Sequence, residues 1–411
     1  MGKNPRKNYF YWIASVLVIF LITFLKFRPD YVSGYTDIEP EIVSGKGLKF
    51  ANSESCMECH KDIYNSFIET PHNYTSAKPE KELVKGSFRK GENEQLVNER
   101  LKLKLRYNGN QFYQETMLSE DDKIIDRKSI DMVIGSGTRG QSYLTWKADE
   151  LYQLPISYFT PTNSWTLSPG IEYKSPSHLR PVNGRCLECH VTYAKTTSIY
   201  GFGNTYNKQQ ILYGVDCQRC HGPAAKHVSY HKNETSSNEA KFIVKIDTLS
   251  NNQKLDLCAL CHAGKLSPKK EIFSYVVGEN LEESYLEDPI TATPKEADVH
   301  GNQLALLKSS KCFEKTEQMN CSSCHDPHRS QRGNFTYFNN KCISCHSQTK
   351  TLCAHIENNK TGNCVECHMP MQNSKSMLIQ AGKDGAKIPV QIRTHLIAIY
   401  NSEKDSLRSL N

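Results

Sequence analysis

The residues that could do chemistry in this chain form one repeated pattern of cysteine and histidine. Of the 16 cysteines, all except Cys312 and Cys353 stand in Cys-x-x-Cys pairs, and each pair is followed directly by histidine. Two cysteines three positions apart project from the same side of a helical turn, where they can form thioethers with the two vinyl groups of one haem. The adjoining histidine then lies beneath the ring and can bind the iron.

The pattern occurs seven times, and we number the copies motif 1 to motif 7 in chain order. They are Cys56-Cys59-His60, Cys186-Cys189-His190, Cys217-Cys220-His221, Cys258-Cys261-His262, Cys321-Cys324-His325, Cys342-Cys345-His346 and Cys364-Cys367-His368. Zinc is the alternative use of paired cysteines, but a zinc site takes two pairs per ion and places no demand on the next residue. The sequence therefore predicts seven covalently bound haem c groups, each with iron.

The histidines outside the motifs supply candidates for the second axial ligand of each iron. Eight remain, and the predicted second ligands are His72, His227, His300, His328, His395 and His178. His231 and His355 compete with His178 for the places that the other five leave open. Ligation by two histidines gives low-spin iron, which suits electron transfer better than substrate binding.

His328 illustrates how the chain limits these pairings. It follows His325 by three residues, which is too short a segment to pass around the edge of the porphyrin to the opposite face. We therefore expect His328 to ligate a neighbouring haem and to hold two haems close together. His227, six residues after His221, invites the same argument with less force.

The two cysteines outside the motifs are Cys312 and Cys353, which flank motifs 5 and 6. In an oxidising compartment they predict a disulfide, with free thiols as the alternative.

An apolar segment near the start of the chain predicts export. Residues 9–25 carry no charge, and lysine and arginine stand on both sides of them. We expect a cytoplasmic tail over 1–8, a transmembrane signal anchor over 9–28 and a linker over 29–50. This places the chain in the inner (cytoplasmic) membrane as a single-pass protein, with its haem domain in the periplasm or otherwise outside the cytoplasm. The alternative is a signal peptide cleaved after Gly34.

The net charge of +7 does not predict nucleic-acid binding, since the basic residues are scattered among acidic ones. Seven ferric haems would each bring roughly one negative charge, which offsets this excess.

The stretch between motifs 1 and 2 has a different pattern. Leucines alternate with polar residues from Leu101 to Tyr107, and Asn108-Gly109 is a strong hairpin turn before Phe112. We expect a first haem segment over 51–99, a β-rich insertion over 100–170 and a six-haem core over 171–411 with little regular structure. Residues 135–140 match the G-x-G-x-x-G dinucleotide pattern, but no strand-helix-strand context surrounds them. The favoured interpretation is that the glycines let the backbone approach a haem or turn tightly.

Several segments together resemble the multihaem cytochromes c related to the tetrahaem electron acceptor of hydroxylamine oxidoreductase, a cytochrome c-554-like domain. The matching segments are Ser55 to His60 with Thr70-Pro71-His72, Gly214 to Pro223 with His227, Cys324 to His328, and Cys367 to Pro370. The resemblance implies a mainly α fold with much irregular structure, built around stacked haems and joined here by a small antiparallel β insertion. It also implies His72, His227 and His328 as second ligands.

Two functions follow from these expectations. The first is an electron carrier that passes electrons between redox proteins or from a quinol-linked donor. The second is a multihaem oxidoreductase that acts on a small nitrogen or sulfur compound at one haem with an open distal site, with Arg139, Tyr143 or Lys147 as polar residues over that face.

Overall fold

Strands outnumber helices among the residues whose structure is described. The computed structural model describes residues 41–170, 179–198, 202–234, 236–290, 293, 295–347, 363–381 and 386–400. Its composition is 26% helix and 30% strand, with several antiparallel sheets. The prediction of a mainly α fold with a small β insertion is therefore wrong.

The predicted hairpin lies within a four-stranded antiparallel sheet. Its strands are β2 (Glu94–Leu96), β3 (Leu101–Tyr107), β4 (Phe112–Leu118) and β5 (Ile124–Ile130), paired in that order. Tyr107 pairs with Phe112, and Gly109 in the turn between them has a φ of 99°. This positive φ explains the glycine, so the hairpin read from the sequence is confirmed.

A larger sheet of eight strands combines the middle of the chain with its C-terminal part. Its strands run in the order β1 (Ser76–Ala77), β6 (Met132–Ile134), β7 (Gly140–Lys147), β8 (Glu150–Phe159), β9 (Ser164–Leu167), β15 (Met371–Ala381) and β16 (Ala386–Arg393), and β10 (Arg180–Pro181) pairs with β8. Two small sheets pair β11 (Val191–Thr196) with β12 (Tyr206–Tyr213) and β13 (Leu266–Pro268) with β14 (Tyr285–Glu287).

The larger sheet is buried on both faces. Successive side chains of a strand point to opposite faces, and the neighbouring residues Tyr143 and Leu144 of β7 are both buried. Tyr143 on β7 packs in one cluster with Leu103 and Phe112 of the four-stranded sheet. The next residue along β7, Leu144, projects to the opposite face and packs in another cluster with Leu187, inside motif 2, and with neighbouring residues of β11 and β12. The sheet is thus the layer that joins the β-rich stretch to the second motif.

The helices in the described part of the chain are short, and most of them carry a motif. They are α1 (Met57–Phe67), α2 (Gly184–Glu188), α3 (Cys217–His221), α4 (Ala225–Asn233), α5 (Asn251–His262), α6 (Gln303–Lys308), α7 (Lys311–Glu314), α8 (Phe335–His346) and α9 (Cys364–His368). Helices this short are marginal on their own. They therefore depend on packing around the motifs for their stability.

The glycine pattern at 135–140 forms a turn between two strands. Gly135 has a φ of 98°, and a Cβ on Gly140 would lie 2.4 Å from the carbonyl oxygen of Tyr158. The segment continues directly into β7, whereas a dinucleotide site requires a helix there. Glycine is needed at these positions for backbone geometry.

Among the residues that the structure describes, no helix is long and apolar enough to cross a membrane. The described residues therefore do not support the prediction of a single-pass inner-membrane protein. The predicted tail, anchor and first part of the linker lie outside the described ranges.

Candidate haem sites

Four motifs place their cysteines in a helical turn whose start is capped by a preceding polar side chain. The residues that cap these turns are Asn183 before motif 2, Asp216 before motif 3, Asn320 before motif 5 and Asn363 before motif 7. Each side chain accepts a hydrogen bond from a backbone N–H of the first turn. The cap fixes where the turn starts and directs both cysteines to the same side.

Four motif histidines face a second histidine from elsewhere in the chain. The distances between ring centres are 6.5 Å for His60 and His227, 6.2 Å for His221 and His328, 6.1 Å for His325 and His395, and 6.4 Å for His72 and His262. Two imidazoles on opposite faces of one iron, each bonded at about 2 Å, have their centres about 6 Å apart. The residues present therefore fit haem, and all four partners are histidines that the sequence singled out.

The pair of His72 and His262 shows the space between such rings. The surrounding protein, through desolvation, lowers the pKa of His262 to about 4 and also lowers the pKa of His72. Both side chains nevertheless keep exposed surface, because they face each other across a gap. A low pKa keeps the imidazole neutral, which is the form that binds iron.

Hydrogen bonds fix the orientation of several of these rings. Nδ1 of His221 donates to the carbonyl oxygen of Val244 at 3.0 Å, and Nδ1 of His227 donates to that of Lys241 at 2.7 Å. Nδ1 of His368 donates to the carbonyl oxygen of Ala398 at 2.8 Å. Because a carbonyl only accepts, the proton is on Nδ1 and the lone pair on Nε2 is available for a metal.

Two of the other candidate ligands, His300 and His231, lie in the described part of the chain. His300 lies close enough to His190 of motif 2 to act on it electrostatically. His231 contacts the ring of His227, with ring centres 4.7 Å apart, one turn further along α4. His178 and His355 lie outside the described residues, so the second ligands at His346 and His368 stay predictions.

Cysteines of different motifs lie against one another. The thiols of four pairs lie close enough for one to influence the pKa of the other: Cys56 and Cys217, Cys189 and Cys261, Cys258 and Cys321, and Cys342 and Cys364. Cys220 also acts electrostatically on Cys258, and Cys324 on Cys342. Motifs 1, 3, 4, 5, 6 and 7 are thus neighbours in that order. Motif 2 lies beside motif 4, as a branch of this series. With haem attached these sulfur atoms would be thioethers, and their proximity would bring the haem edges of neighbouring motifs together.

Cys312 lies near Cys324 and Cys345. Its predicted disulfide partner, Cys353, lies outside the described residues.

Asp298 is a site residue that sequence reasoning missed. Its carboxylate accepts hydrogen bonds from the backbone N–H of His300 at 3.1 Å, from Ser374 Oγ at 3.0 Å, and from the N–H groups of Lys375 and Ser376 at 3.2 and 2.7 Å. The last three belong to an irregularity in the pairing of β15. The contact thus anchors the His300 segment to the larger sheet, and no local pattern in the sequence points to it.

Comparisons with known proteins agree with this geometry. Residues 162–222, which contain motifs 2 and 3, match the family model of cytochrome c554 and c-prime. The multiheme cytochrome MtrA of Shewanella baltica (strain OS185) is 27% identical over 183 residues, which are 40% of this chain and 53% of that protein. The chain thus matches about half the length of this relative.

Among solved structures, the outer cell wall cytochrome OcwA is similar, with a TM-score of 0.52 and 15% identity. The match covers 85% of this chain and 79% of that one, and at this identity it shows the fold alone.

Repeated haem-attachment turns and facing histidines define a c-type haem protein. Together with this geometry, the comparisons support a multihaem c-type cytochrome family for the chain, and the resemblance to the c554 type is confirmed over residues 162–222.

Proposed function

We propose that this chain holds seven haem c groups ligated by two histidines each and conducts electrons through them between redox proteins. Haem iron supplies the one-electron redox chemistry, and the protein supplies attachment, axial ligands and spacing. The series of cysteine contacts from motif 1 to motif 7 carries this proposal, because electron hopping requires neighbouring haems to lie close together.

Facing rings suggest one ligand set for each of four haems, and the electrostatic proximity of His300 to His190 extends the proposal to the haem of motif 2. The paired axial histidines are His60 with His227, His190 with His300, His221 with His328, His262 with His72, and His325 with His395. For the haems at His346 and His368, His178 remains a candidate second ligand. The cysteines of each motif hold the ring edge against its neighbour.

Four facing pairs join segments of different motifs in this scheme. His72 follows motif 1 but faces motif 4. His227 follows motif 3 but faces motif 1, His328 follows motif 5 but faces motif 3, and His395 follows motif 7 but faces motif 5. Each crossing ties two attachment segments together, which limits how far adjacent haems can separate. A fixed separation favours a conduit over a protein whose haems act singly.

The ends of the series are suited to electron exchange with partners. Motifs 1 and 7 stand at its two ends, and Cys59 and Cys367 in them are exposed, as are Cys186 of motif 2 and Cys345 of motif 6. Haem edges held there would be accessible to another redox protein.

Mass spectrometry of the purified holoprotein tests the haem count. We expect the polypeptide mass to increase by seven haems, whereas Cys364→Ser with Cys367→Ser should give six. Electron paramagnetic resonance of the oxidised protein should show low-spin iron, and dithionite should reduce every haem reversibly. A mass equal to the bare polypeptide, or a majority of high-spin iron, would overturn the proposal.

A further inference from the structure

A fully buried carboxylate lies where motif 2 meets motif 4. Glu188, inside motif 2, has no exposed surface. Its carboxylate accepts a hydrogen bond from the N–H of Phe273 at 2.8 Å and another from the hydroxyl of Tyr285. Arg185 pairs with it at 3.2 Å. A buried carboxylate is stable only when it is paired and hydrogen-bonded in this way.

Two half-buried guanidinium groups surround this carboxylate. Arg185 also donates to the carbonyl oxygen of Leu260, inside motif 4, and lies over the ring of Tyr285 at 5.2 Å. Arg219, inside motif 3, donates to the carbonyl oxygen of Glu188 at 2.7 Å and lies over the ring of Phe273 at 5.3 Å. Both guanidinium groups act electrostatically on the sulfur atoms of Cys189 and Cys261.

The charges of this cluster do not cancel. Arg185 is neutralised by Glu188, whereas Arg219 forms no ion pair within the described part of the chain. One positive charge therefore remains beside the touching cysteines of motifs 2 and 4. Inside a protein such a charge is weakly screened, so it acts strongly on a nearby redox centre.

The contact between motifs 1 and 3 has the opposite charge. Asp216, 7% exposed, accepts hydrogen bonds from the hydroxyls of Ser53 and Thr192 and from the N–H of Gln218. It acts electrostatically on the sulfur atoms of Cys56 and Cys217, which touch each other. Among the described residues no cation pairs with it, so a negative charge remains at this contact.

We infer that these buried charges set a step in reduction potential, so that electrons move from haem 1 through haem 3 and collect at haems 2 and 4. The inference rests on the proposed function. A reduced haem carries one positive charge less than an oxidised one. The Arg219 cation therefore favours the reduced state of the haems at motifs 2 and 4 and raises their reduction potential. The Asp216 carboxylate disfavours the reduced state and lowers the potential of haem 1. Haem 4 adjoins haems 2, 3 and 5, which makes it the branching point of the series.

Spectroscopic redox titration of the holoprotein and of charge variants tests this inference. Arg219→Gln should shift the highest-potential haems to lower potential, and Asp216→Asn should shift the lowest-potential haem to higher potential. Arg219→Lys, which keeps the charge, should leave the titration close to that of the parent. Arg329→Gln removes an arginine beside motif 5 whose side chain is 73% exposed, and solvent screening should make its effect much smaller.

The opposite directions separate charge from general damage. Shifts of the same sign for Arg219→Gln and Asp216→Asn, or shifts no larger than that of Arg329→Gln, would overturn the inference. Haem mass and low-spin content are measured on the same samples. If both stay at their parent values while the potentials do not move, the potential step is wrong and the conduit stands. If the parent protein itself lacks haem, the proposed function fails.

Discussion

The rings of His221 and His328 lie 6.2 Å apart, centre to centre, with their planes 16° from parallel. His221 belongs to motif 3, whereas His328 follows motif 5 by three residues. The segment that attaches one haem therefore presents its next histidine to a different motif. This relationship agrees with the argument from chain length that His328 cannot reach the far side of its own haem.

Replacing His328 should open one iron without releasing its haem. In His328→Ala the thioethers of motif 3 remain, so the mass should stay unchanged, while about one haem in seven becomes high-spin ferric. Electron paramagnetic resonance of the oxidised protein measures this change. Arg329→Ala alters the adjacent exposed residue and serves as the control. A His328→Ala protein that stays entirely low-spin would contradict the assignment.

The angles between facing rings predict distinct spectra for individual haems. His72 and His262 have planes 69° apart, whereas the pairs of His60 with His227 and His221 with His328 differ by 13° and 16°. Parallel imidazoles separate the energies of two iron d orbitals, and nearly perpendicular ones leave them almost equal. We therefore expect one low-spin signal of strongly axial type beside a majority of rhombic type. His72→Ala should remove the axial signal and leave the rhombic ones; loss of a rhombic signal instead would contradict the pairing.

The sequence predicted the local features of this protein well. Spacing alone marks the attachment motifs, and alternation with a turn marks the β3–β4 hairpin, because both signals lie within a few residues. The list of candidate second ligands also came from residue type. Which histidine faces which motif depends on long-range packing, so the facing of His72 to His262 required the structure.

The fold class was missed for a similar reason. β15 contains the polar run Gln372 to Ser376, which lacks the alternation of a half-buried strand. It joins the larger sheet through β9, where Gln380 pairs with Leu167, more than 200 residues earlier in the chain. Tertiary pairing, not local pattern, makes this segment a strand. The β-rich stretch is therefore part of a sheet that the C-terminal segment completes.

Asp298 should control the position of His300. Asp298→Ala removes four hydrogen bonds to a carboxylate, which we expect to cost about 2–4 kcal/mol of stability and to add one high-spin haem. Asp298→Asn keeps one acceptor oxygen and should retain more low-spin iron. Thermal unfolding and electron paramagnetic resonance measure the two effects separately. A destabilised Asp298→Ala protein with unchanged low-spin content would show that the carboxylate stabilises β15 without positioning His300.

The contribution of Asp256 to the free energy of unfolding should be larger at low pH than at neutral pH. Burial raises the pKa of Asp256, although its carboxylate accepts a hydrogen bond from the N–H of Leu281 at 3.0 Å. A raised pKa means that the folded state holds the proton more tightly than the unfolded state. This contribution is therefore present below the unfolded pKa and is lost as pH rises through the folded value. Asp256→Asn removes the charge and keeps an acceptor, so it should gain up to about 1 kcal/mol over the parent at pH 7 and little at pH 3.5. Thermal unfolding across this range measures the difference, and Glu120→Gln, an exposed change, should show none. An Asp256→Asn protein that is less stable than the parent at pH 7 would mean that the ionised carboxylate is favourable in the fold.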